Sequence, residues 1–340
     1  MAKKYWTQEE EQFIRDHISQ FSISDFANHF VLSKAKIVDK IHKMGLNSKK
    51  SRGIIWSETD DALLAQHFEY APKEYLMRLF PTKTWQGILQ RGIKTLHLKR
   101  ISQDRTFVKY DFFSEWNEHS AYFLGFILAD GHLHYGSAKY LQIEISKKDQ
   151  DILYKLKDCL QYEGSIMQGK KAKENDIIMG NSCKTRESVK LQINNAKIVQ
   201  DLVAKGVPLD CKTYSTVFPK NVPDDMIKHV IRGLIDGDGW VSYMDKHLNI
   251  GICGTKSMCE TIQKYLRPIK SNARVYQNSE NCWKFQIAGS QALDKVKWLY
   301  QDANIYLDRK YNVFLQALQD YNSKILRRCG NAAGTRLETQ

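Results

Sequence analysis

The chain has 340 residues, more than one ordinary hydrophobic core organises, so its length predicts two or three domains rather than one small binding module. Hydrophobic residues make up 42% of it and charged residues 26%, a composition that excludes wholesale disorder. The 51 Lys and Arg residues exceed the 38 Asp and Glu residues and give a formal net charge of +13. Such a charge favours polyanionic partners, and nucleic acid becomes the leading class.

The sequence gives no sign of a membrane or secreted protein. Its longest apolar run, residues 121–129, ends at Asp130 and is far shorter than the roughly 20 residues of a spanning helix. The N-terminus lacks the apolar segment of a secretory signal, so we expect an intracellular protein, cytoplasmic or associated with the nucleoid. Seven cysteines show neither a C-x-x-C pattern nor zinc-site spacing, and we expect reduced thiols, mostly buried.

The first hundred residues contain a repeat that begins at Trp6 and begins again at Trp56. Each copy opens with an acidic, capped helix and continues with two short amphipathic helices. The predicted helices start at Thr7 in the first copy and then cover residues 22–30 and 33–44, followed in the second copy by 58–68, 73–80 and 84–96. The sequence therefore predicts two copies of one three-helix unit.

Basic and amide side chains gather on the third helix of each copy, whereas the first helix is acidic. This segregation suits a unit that lays its third helix in the major groove of DNA, although a solvated basic face on a small bundle gives the same pattern. The tryptophan, acidic and helical spacing resembles Myb/SANT-like DNA-binding repeats. The candidate DNA contacts are Lys36, Lys40, Lys43, Gln90, Arg91 and Lys94.

A longer repeat occupies the remaining chain. The segment Phe123–Gly131 has a near match in Ile231–Gly239, and the aspartates Asp130 and Asp238 lie 108 residues apart. Alternating strands and amphipathic helices follow each copy in the same order. The economical interpretation is α+β, with two pseudo-symmetric αββαββα halves.

The two motifs carry small residues at helical spacing. Gly125 and Ala129 lie four residues apart, as do Gly233 and Gly237, so two helices could approach closely along these faces. Each helix would end at its aspartate, before a glycine able to close it in the left-handed conformation. Asp130 and Asp238 would then converge beside negative helix termini, an arrangement that calls for a cation such as Mg²⁺.

The two nonamers resemble the repeated motif of LAGLIDADG homing endonucleases in the single-chain form, over about residues 117–320. The resemblance implies a saddle of antiparallel sheets along the major groove and a monomer acting on double-stranded DNA. It further implies that Asp130 and Asp238 each bind Mg²⁺, or another divalent cation such as Mn²⁺, and each cut one strand. By position it suggests Lys147 and Lys197 as supporting basic residues in the first half, whereas Asp236 receives a local or capping role.

Polar residues alternate with apolar ones along the strands. Trp283, Phe285 and Ile287 are expected in the core, and the opposite faces are expected to meet base edges through Gln142, Glu144, Lys190, Gln192, Lys284 and Gln286. The predicted domains are residues 1–50, 51–106, 107–220 and 221–325, with a tail at 326–340. Two other functions stay open, an RNA maturase acting on intron RNA and an inactive DNA-binding regulator on the same fold.

Overall fold

The computed structural model describes residues 6–46, 56–172, 176–178, 181–183, 186–209, 215–267 and 272–334. Helices fill the N-terminal part of the chain, and helices and strands alternate in the rest. The N-terminal helices are α1 (Gln8–His17), α2 (Ile23–His29), α3 (Lys34–Lys43), α4 (Glu58–His67), α5 (Lys73–Leu79) and α6 (Trp85–Gln90). A π-helical turn, Arg91–Thr95, prolongs α6.

The helices α1 and α4 begin with the same device. Thr7 accepts a hydrogen bond from the backbone N–H of Glu10 at 3.2 Å, and Ser57 accepts one from Asp60 at 3.0 Å. The acidic side chain returns the bond to the cap residue in both cases. These capping boxes satisfy backbone donors that a helix start leaves unpaired, and they recur at equivalent positions of the repeat.

The two helical groups pack differently. The first, α1–α3, has its own small core, which contains Ile14, Phe26 and Ile37. The second, α4–α6, contributes Leu64 and Phe68 to one continuous core with the C-terminal part of the chain. The second group is therefore an extension of the C-terminal body, and we call it the docked helical group.

The C-terminal part contains two series of elements in the same order. The first series is α7 (Glu118–Asp130), β1 (Gly131–Tyr135), β2 (Lys139–Ser146), α8 (Asp151–Cys159), β3 (Met167–Gln168), the hairpin β4 (Asp176–Ile178) and β5 (Asn181–Cys183), β6 (Ser188–Asn194) and α9 (Ala196–Ala204). The second series is α10 (Ile227–Asp238), β7 (Gly239–Met244), β8 (His247–Gly254), α11 (Lys256–Leu266), β9 (Tyr276–Ser279), β10 (Cys282–Ala288) and α12 (Ser290–Tyr300). A long helix, α13 (Asp308–Gly334), follows.

The strands form two four-stranded antiparallel sheets, ordered β1-β2-β6-β3 and β7-β8-β10-β9, which confirms the predicted α+β class. Each sheet buries its apolar face. Phe285 and Ile287 are buried as predicted, whereas Trp283 is only half-buried and lies under the ammonium of Lys256. The hairpin β4–β5 was not predicted.

The glycines that follow the motif aspartates do not close their helices in the left-handed conformation, so that expectation is wrong. Gly131 has φ −81° and ψ 159°, and Gly239 is likewise extended, because each residue starts a strand directly. A Cβ on Gly131 would lie 2.7 Å from the carbonyl oxygen of Ile127. Glycine at this position allows the strand to pass close to the helix end, and it is not needed to reverse the chain.

Over the part of the chain that is described, no helix is both long and apolar enough to cross a bilayer.

Candidate active site

The helices α7 and α10 pack backbone against backbone. A Cβ on Gly125 would lie 2.1 Å from the carbonyl oxygen of Val230, and one on Gly233 would lie 2.0 Å from that of Tyr122. Both distances are far below any van der Waals contact, and the obstructing atom is backbone in each case. The two predicted glycines therefore lie at the crossing of the two helices, where no side chain fits.

The same contact continues to the helix ends. A Cβ on Gly237 would lie 2.2 Å from the Cβ of Ala129 and 3.2 Å from Oδ2 of Asp130. The carboxylate of Asp130 thus lies against the last turn of α10, one residue before Asp238. The structure brings all four small motif residues and both aspartates to one crossing.

Each aspartate lines a cavity of its own. The Asp130 cavity has a volume of about 590 Å³ and is rich in charge, with Glu144, Lys148, Asp149, Lys170, Arg186 and Arg309 in its wall. The Asp238 cavity has about 270 Å³ and is lined by Thr216, Ile252, Cys253, Gly254, Thr255, Asn281 and Cys282, among others. Among the described residues that line it, Asp238 alone carries a charge. The two halves therefore offer different surroundings to equivalent carboxylates.

A buried carboxylate links the two helices to the C-terminal segment. Asp236 accepts hydrogen bonds from the hydroxyl of Tyr122 on α7 at 2.8 Å, from the hydroxyl of Tyr300 at 2.5 Å and from the backbone N–H of Leu307 at 2.8 Å. Burial raises the pKa of Asp236, and the Lys310 ammonium and these donors oppose the rise. The expectation of a local role for Asp236 is incomplete, because its carboxylate joins α10 to α7, to α12 and to the segment before α13.

Lys310 closes the C-terminal end of α10. Its ammonium donates to the carbonyl oxygens of Ile235 at 2.6 Å, Asp236 at 2.8 Å and Gly239 at 2.7 Å. Burial lowers its pKa to about 8, although the carboxylates of Asp236 and Asp130 favour its charge. A cation there neutralises the negative end of the helix that carries Asp238.

Sequence reasoning did not select Lys310, although a signal was present. The segment Leu307–Lys310 repeats the pattern of residues 209–212, so a lysine recurs at the same place in both halves. Lys212 lies outside the described residues.

The two lysines that were predicted instead lie elsewhere. The ammonium of Lys147 is 2.9 Å from Oε2 of Glu187, and Lys197 pairs with Asp201 and donates to Oγ of Ser114 at 3.1 Å. Neither lines the Asp130 or the Asp238 cavity. Their catalytic role stays a prediction. In the structure their ammonium groups pair with the carboxylates of Glu187 and Asp201 and not with those of the motif aspartates.

The predicted DNA-facing residues of the strands share the polar sheet faces. In the first sheet Gln142 pairs with Gln192 and Glu144 with Lys190, and the alternate positions are buried. In the second sheet Lys284 lies opposite Cys253 and Gln286 opposite Gly251. Glu144 also accepts from Oγ of Ser188 at 2.6 Å and reaches the Asp130 cavity.

Trp240 lies on the polar face of the second sheet and was not singled out by the sequence. A Cβ on Gly251 would come within 2.2 Å of its ring, so the indole covers the glycine. The ammonium of Lys284 lies 4.6 Å from the ring centroid, and Nε1 donates to Oδ1 of Asn249 at 3.1 Å. The second face thus carries a fixed aromatic platform.

Two of the six basic or amide residues predicted to bind DNA from the N-terminal helices pair with the first helix of their own group, and Lys43 pairs with Asp39 of its own helix at 2.7 Å. Lys40 pairs with Glu11 and lies 5.6 Å from the Trp6 ring centroid. Arg91 donates through Nε to Oδ1 of Asp61 at 2.8 Å and lies 6.0 Å from the ring of Trp56. These pairs tie the third helix to the first in both copies, so they stabilise the groups whatever they bind. Lys36, Lys43, Gln90 and Lys94 are exposed.

No protein-family model matches the sequence, and no curated protein matches it. Among solved structures, the chain is similar to the LAGLIDADG meganuclease I-CpaMI bound to uncleaved DNA, with 14% sequence identity and a TM-score of 0.43 over 62% of this chain and 93% of that one. It is also similar to the homing endonuclease I-LtrWI bound to target DNA, with 11% identity and a TM-score of 0.42 over 64% of this chain and 92% of that one. These structural neighbours are LAGLIDADG homing endonucleases. A third, I-SmaMI bound to cleaved DNA, has 14% identity and a TM-score of 0.38 over 66% of this chain and 96% of that one.

Proposed function

We propose that the chain is a single-chain LAGLIDADG homing endonuclease that hydrolyses both strands of double-stranded DNA as a monomer, with Mg²⁺ or Mn²⁺. One observation carries the proposal. The backbone contact of α7 with α10 places Asp130 against Gly237, beside Asp238, and each carboxylate opens into a separate cavity. Each cavity would serve one strand of the DNA.

The donor set fits a hard divalent cation. The residues that would hold it are Asp130 and Asp238, each at the negative end of a helix. Within the described residues no group of three or more His, Cys, Asp or Glu side chains could hold a metal by itself. Mg²⁺ suits such a sparse set, since it binds through one or two carboxylates and takes waters and substrate phosphate for the rest. When bound, it would lower the pKa of a water and stabilise charge on the phosphate.

The neighbouring residues position these carboxylates. Lys310 holds the carbonyl oxygens at the end of α10, and Asp236 holds α10 to Tyr122 of α7. In the Asp130 cavity Lys148 and Arg309 are cations near the place a phosphate would occupy. Arg309 is itself held by Oδ1 of Asp149 at 2.9 Å, so its orientation is fixed before substrate binds.

The DNA surface in this proposal consists of the two polar sheet faces. Their side chains include amide, lysine and carboxylate groups, which hydrogen-bond base edges in the major groove. The docked helical group shares a core with the body, so Gln90 and Lys94 would contact flanking DNA at a fixed distance from the sheets. Lys36 and Lys43 of α3 would add contacts further along.

The proposal is tested with a plasmid library carrying randomised inserts, incubated with the full chain and Mg²⁺ and then sequenced at newly formed ends. The wild type is expected to select and cut one family of sites, because both carboxylates are present. The double variant Asp130→Asn, Asp238→Asn is the matched control and is expected to bind the selected site without cutting it.

Two outcomes would overturn the proposal. Salt-dependent binding of a selected site with no cleavage by the wild type would favour the DNA-binding regulator. Preferential binding of structured intron RNA, with no cleavage of any DNA, would favour the maturase.

A further inference from the structure

The Asp238 cavity holds two thiols on the polar face of the second sheet. Cys253 on β8 lies opposite Lys284 on β10, and Cys282 precedes Lys284 by two residues on the same strand. Side chains two residues apart on a strand point to the same face, so Cys253 and Cys282 are diagonal neighbours. Both line the cavity that contains Asp238.

The two thiols are neighbours in the wall of this cavity, and both residues are partly exposed. Burial raises the pKa of the Cys253 thiol, and the neighbouring Cys282 side chain adds to the rise. A third thiol, that of Cys259, is buried behind the sheet and donates to the carbonyl oxygen of Trp283 at 3.4 Å. Among the described cysteine side chains that meet this sheet, the accessible pair is therefore Cys253 with Cys282.

The equivalent place in the first half has no such pair. The wall of the Asp130 cavity contains charged and hydroxyl side chains, and no cysteine is among its described lining residues. Among the cysteines whose side chains the structure describes, a reagent selective for neighbouring thiols would thus act on the second half.

We propose that Cys253 and Cys282 form a modification site for low-molecular-weight disulfides such as oxidised glutathione, which convert the pair to an intramolecular disulfide and close the cavity in front of Asp238. The consequence for cleavage rests on the proposed function. The oxidised protein would still cut the strand served by Asp130 and would lose the cut served by Asp238, so a double-strand cutter becomes a nicking enzyme.

The disulfide between Cys253 and Cys282 would form by thiol–disulfide exchange, in which oxidised glutathione accepts the electrons. One protein thiolate attacks a sulfur of oxidised glutathione, which forms a mixed disulfide and releases one glutathione thiolate. The second cysteine attacks the mixed disulfide and releases the other. The two protein thiols lose two electrons and two protons in total, and one oxidised glutathione becomes two reduced ones.

The geometry permits the second step with a small adjustment. A disulfide needs its Cα atoms within about 7 Å, and diagonal neighbours in an antiparallel pair lie about 7–8 Å apart, so the Cys282 end of β10 must move toward β8. Cys282 is the first residue of β10, and the ladder to β9 shifts register between Cys282 and Trp283. Regular pairing with β9 therefore breaks next to Cys282, at the strand end that has to move.

The first readout does not depend on DNA. The full chain is equilibrated with oxidised glutathione, the remaining thiols are alkylated, and the digest is mapped by mass spectrometry. A linked Cys253–Cys282 peptide is expected in the wild type and in Cys159→Ser, a partly exposed cysteine of the first half, and is expected to be absent from Cys253→Ser and Cys282→Ser. A wild-type digest with both cysteines alkylated, or with either one linked elsewhere, would overturn the site.

The second readout separates the site from its effect. On a selected DNA site with each strand labelled, oxidation is expected to reduce cutting of one strand at least tenfold and to leave the other within twofold, and reductant is expected to restore both. Equal cutting of both strands by protein that contains the linked peptide would overturn the closure of the cavity. If reduced protein cuts no DNA, the proposed function fails, while the peptide map still decides the thiol site.

Discussion

The two halves of the C-terminal body share a skeleton and differ in what surrounds their aspartates. A Cβ added at Gly125 or Gly233 would lie 2.1 or 2.0 Å from backbone of the other helix, nearly the same distance from both sides. The Asp130 cavity is charged and large, whereas the Asp238 cavity is smaller and is lined by hydroxyl, thiol and amide groups. Packing therefore fixes where the two carboxylates lie, and the strands and loops of each half decide what meets them.

The comparison extends to the sixth position of each motif. In α10 this position is Asp236, fully enclosed and bonded to Tyr122, Tyr300 and Leu307, whereas in α7 it is the apolar Leu128. The second half thus uses a buried carboxylate to fix the start of α13. A duplicated scaffold has kept its helix contact and has changed the polar network around it.

The largest expected effect comes from breaking the shared contact. Gly233→Ala would place a methyl group 2.0 Å from the carbonyl oxygen of Tyr122, so the helices must separate. We expect the free energy of unfolding to fall by about 3 kcal/mol or more. Chemical denaturation measures the change.

Gly254→Ala is the matched control, because its added Cβ would meet nothing closer than 3.8 Å. It is expected to change the free energy of unfolding by less than about 0.5 kcal/mol. Similar stabilities of the two variants would contradict the account of the helix crossing.

A smaller effect on the free energy of unfolding is expected from Lys310, which binds the C-terminal end of α10. Burial lowers its pKa to about 8 in the folded protein, below the ordinary lysine value of 10.5, so the unfolded chain binds the proton more tightly. Between pH 8 and 10 the unfolded state therefore holds more protons, and stability rises with pH. We expect the wild type to gain about 2 kcal/mol over this range relative to Lys310→Met.

The difference between wild type and variant isolates this lysine, since other titrating groups are common to both. Parallel denaturation curves at pH 8, 9 and 10 supply the measurement. A constant difference across the range would mean that Lys310 keeps an ordinary pKa and that its burial does not disfavour the charged ammonium.

The sequence predicted most of the local structure for a physical reason. The alternation of apolar and polar residues over 189–193 predicts a strand with one buried face, and β6 extends one residue beyond this range at each end. Helical periodicity likewise predicts helices over 196–205 and 291–300, and α9 and α12 agree with these ranges to within one residue. Patterns of this kind depend on neighbours along the chain, which a sequence displays directly.

The features that were missed depend on residues far apart in the chain. Lys310 meets the end of α10 across more than 70 residues, and Asp236 meets Tyr122 across 114. Nor does the composition of α3 show that Lys40 is held by Glu11 of α1. Periodicity places a charge on a face but does not say which charge of another element lies opposite.

The measurement that tests the central claim most directly is strand-resolved cleavage by the single variants Asp130→Asn and Asp238→Asn. Each is mixed with Mg²⁺ and a selected DNA site labelled differently on its two strands. Because each carboxylate has a cavity of its own, we expect each variant to lose one cut, a different one in the two proteins, and to keep nicking the other strand. Loss of both cuts in both variants would show one shared site, and unchanged cutting in either would remove that aspartate from the chemistry.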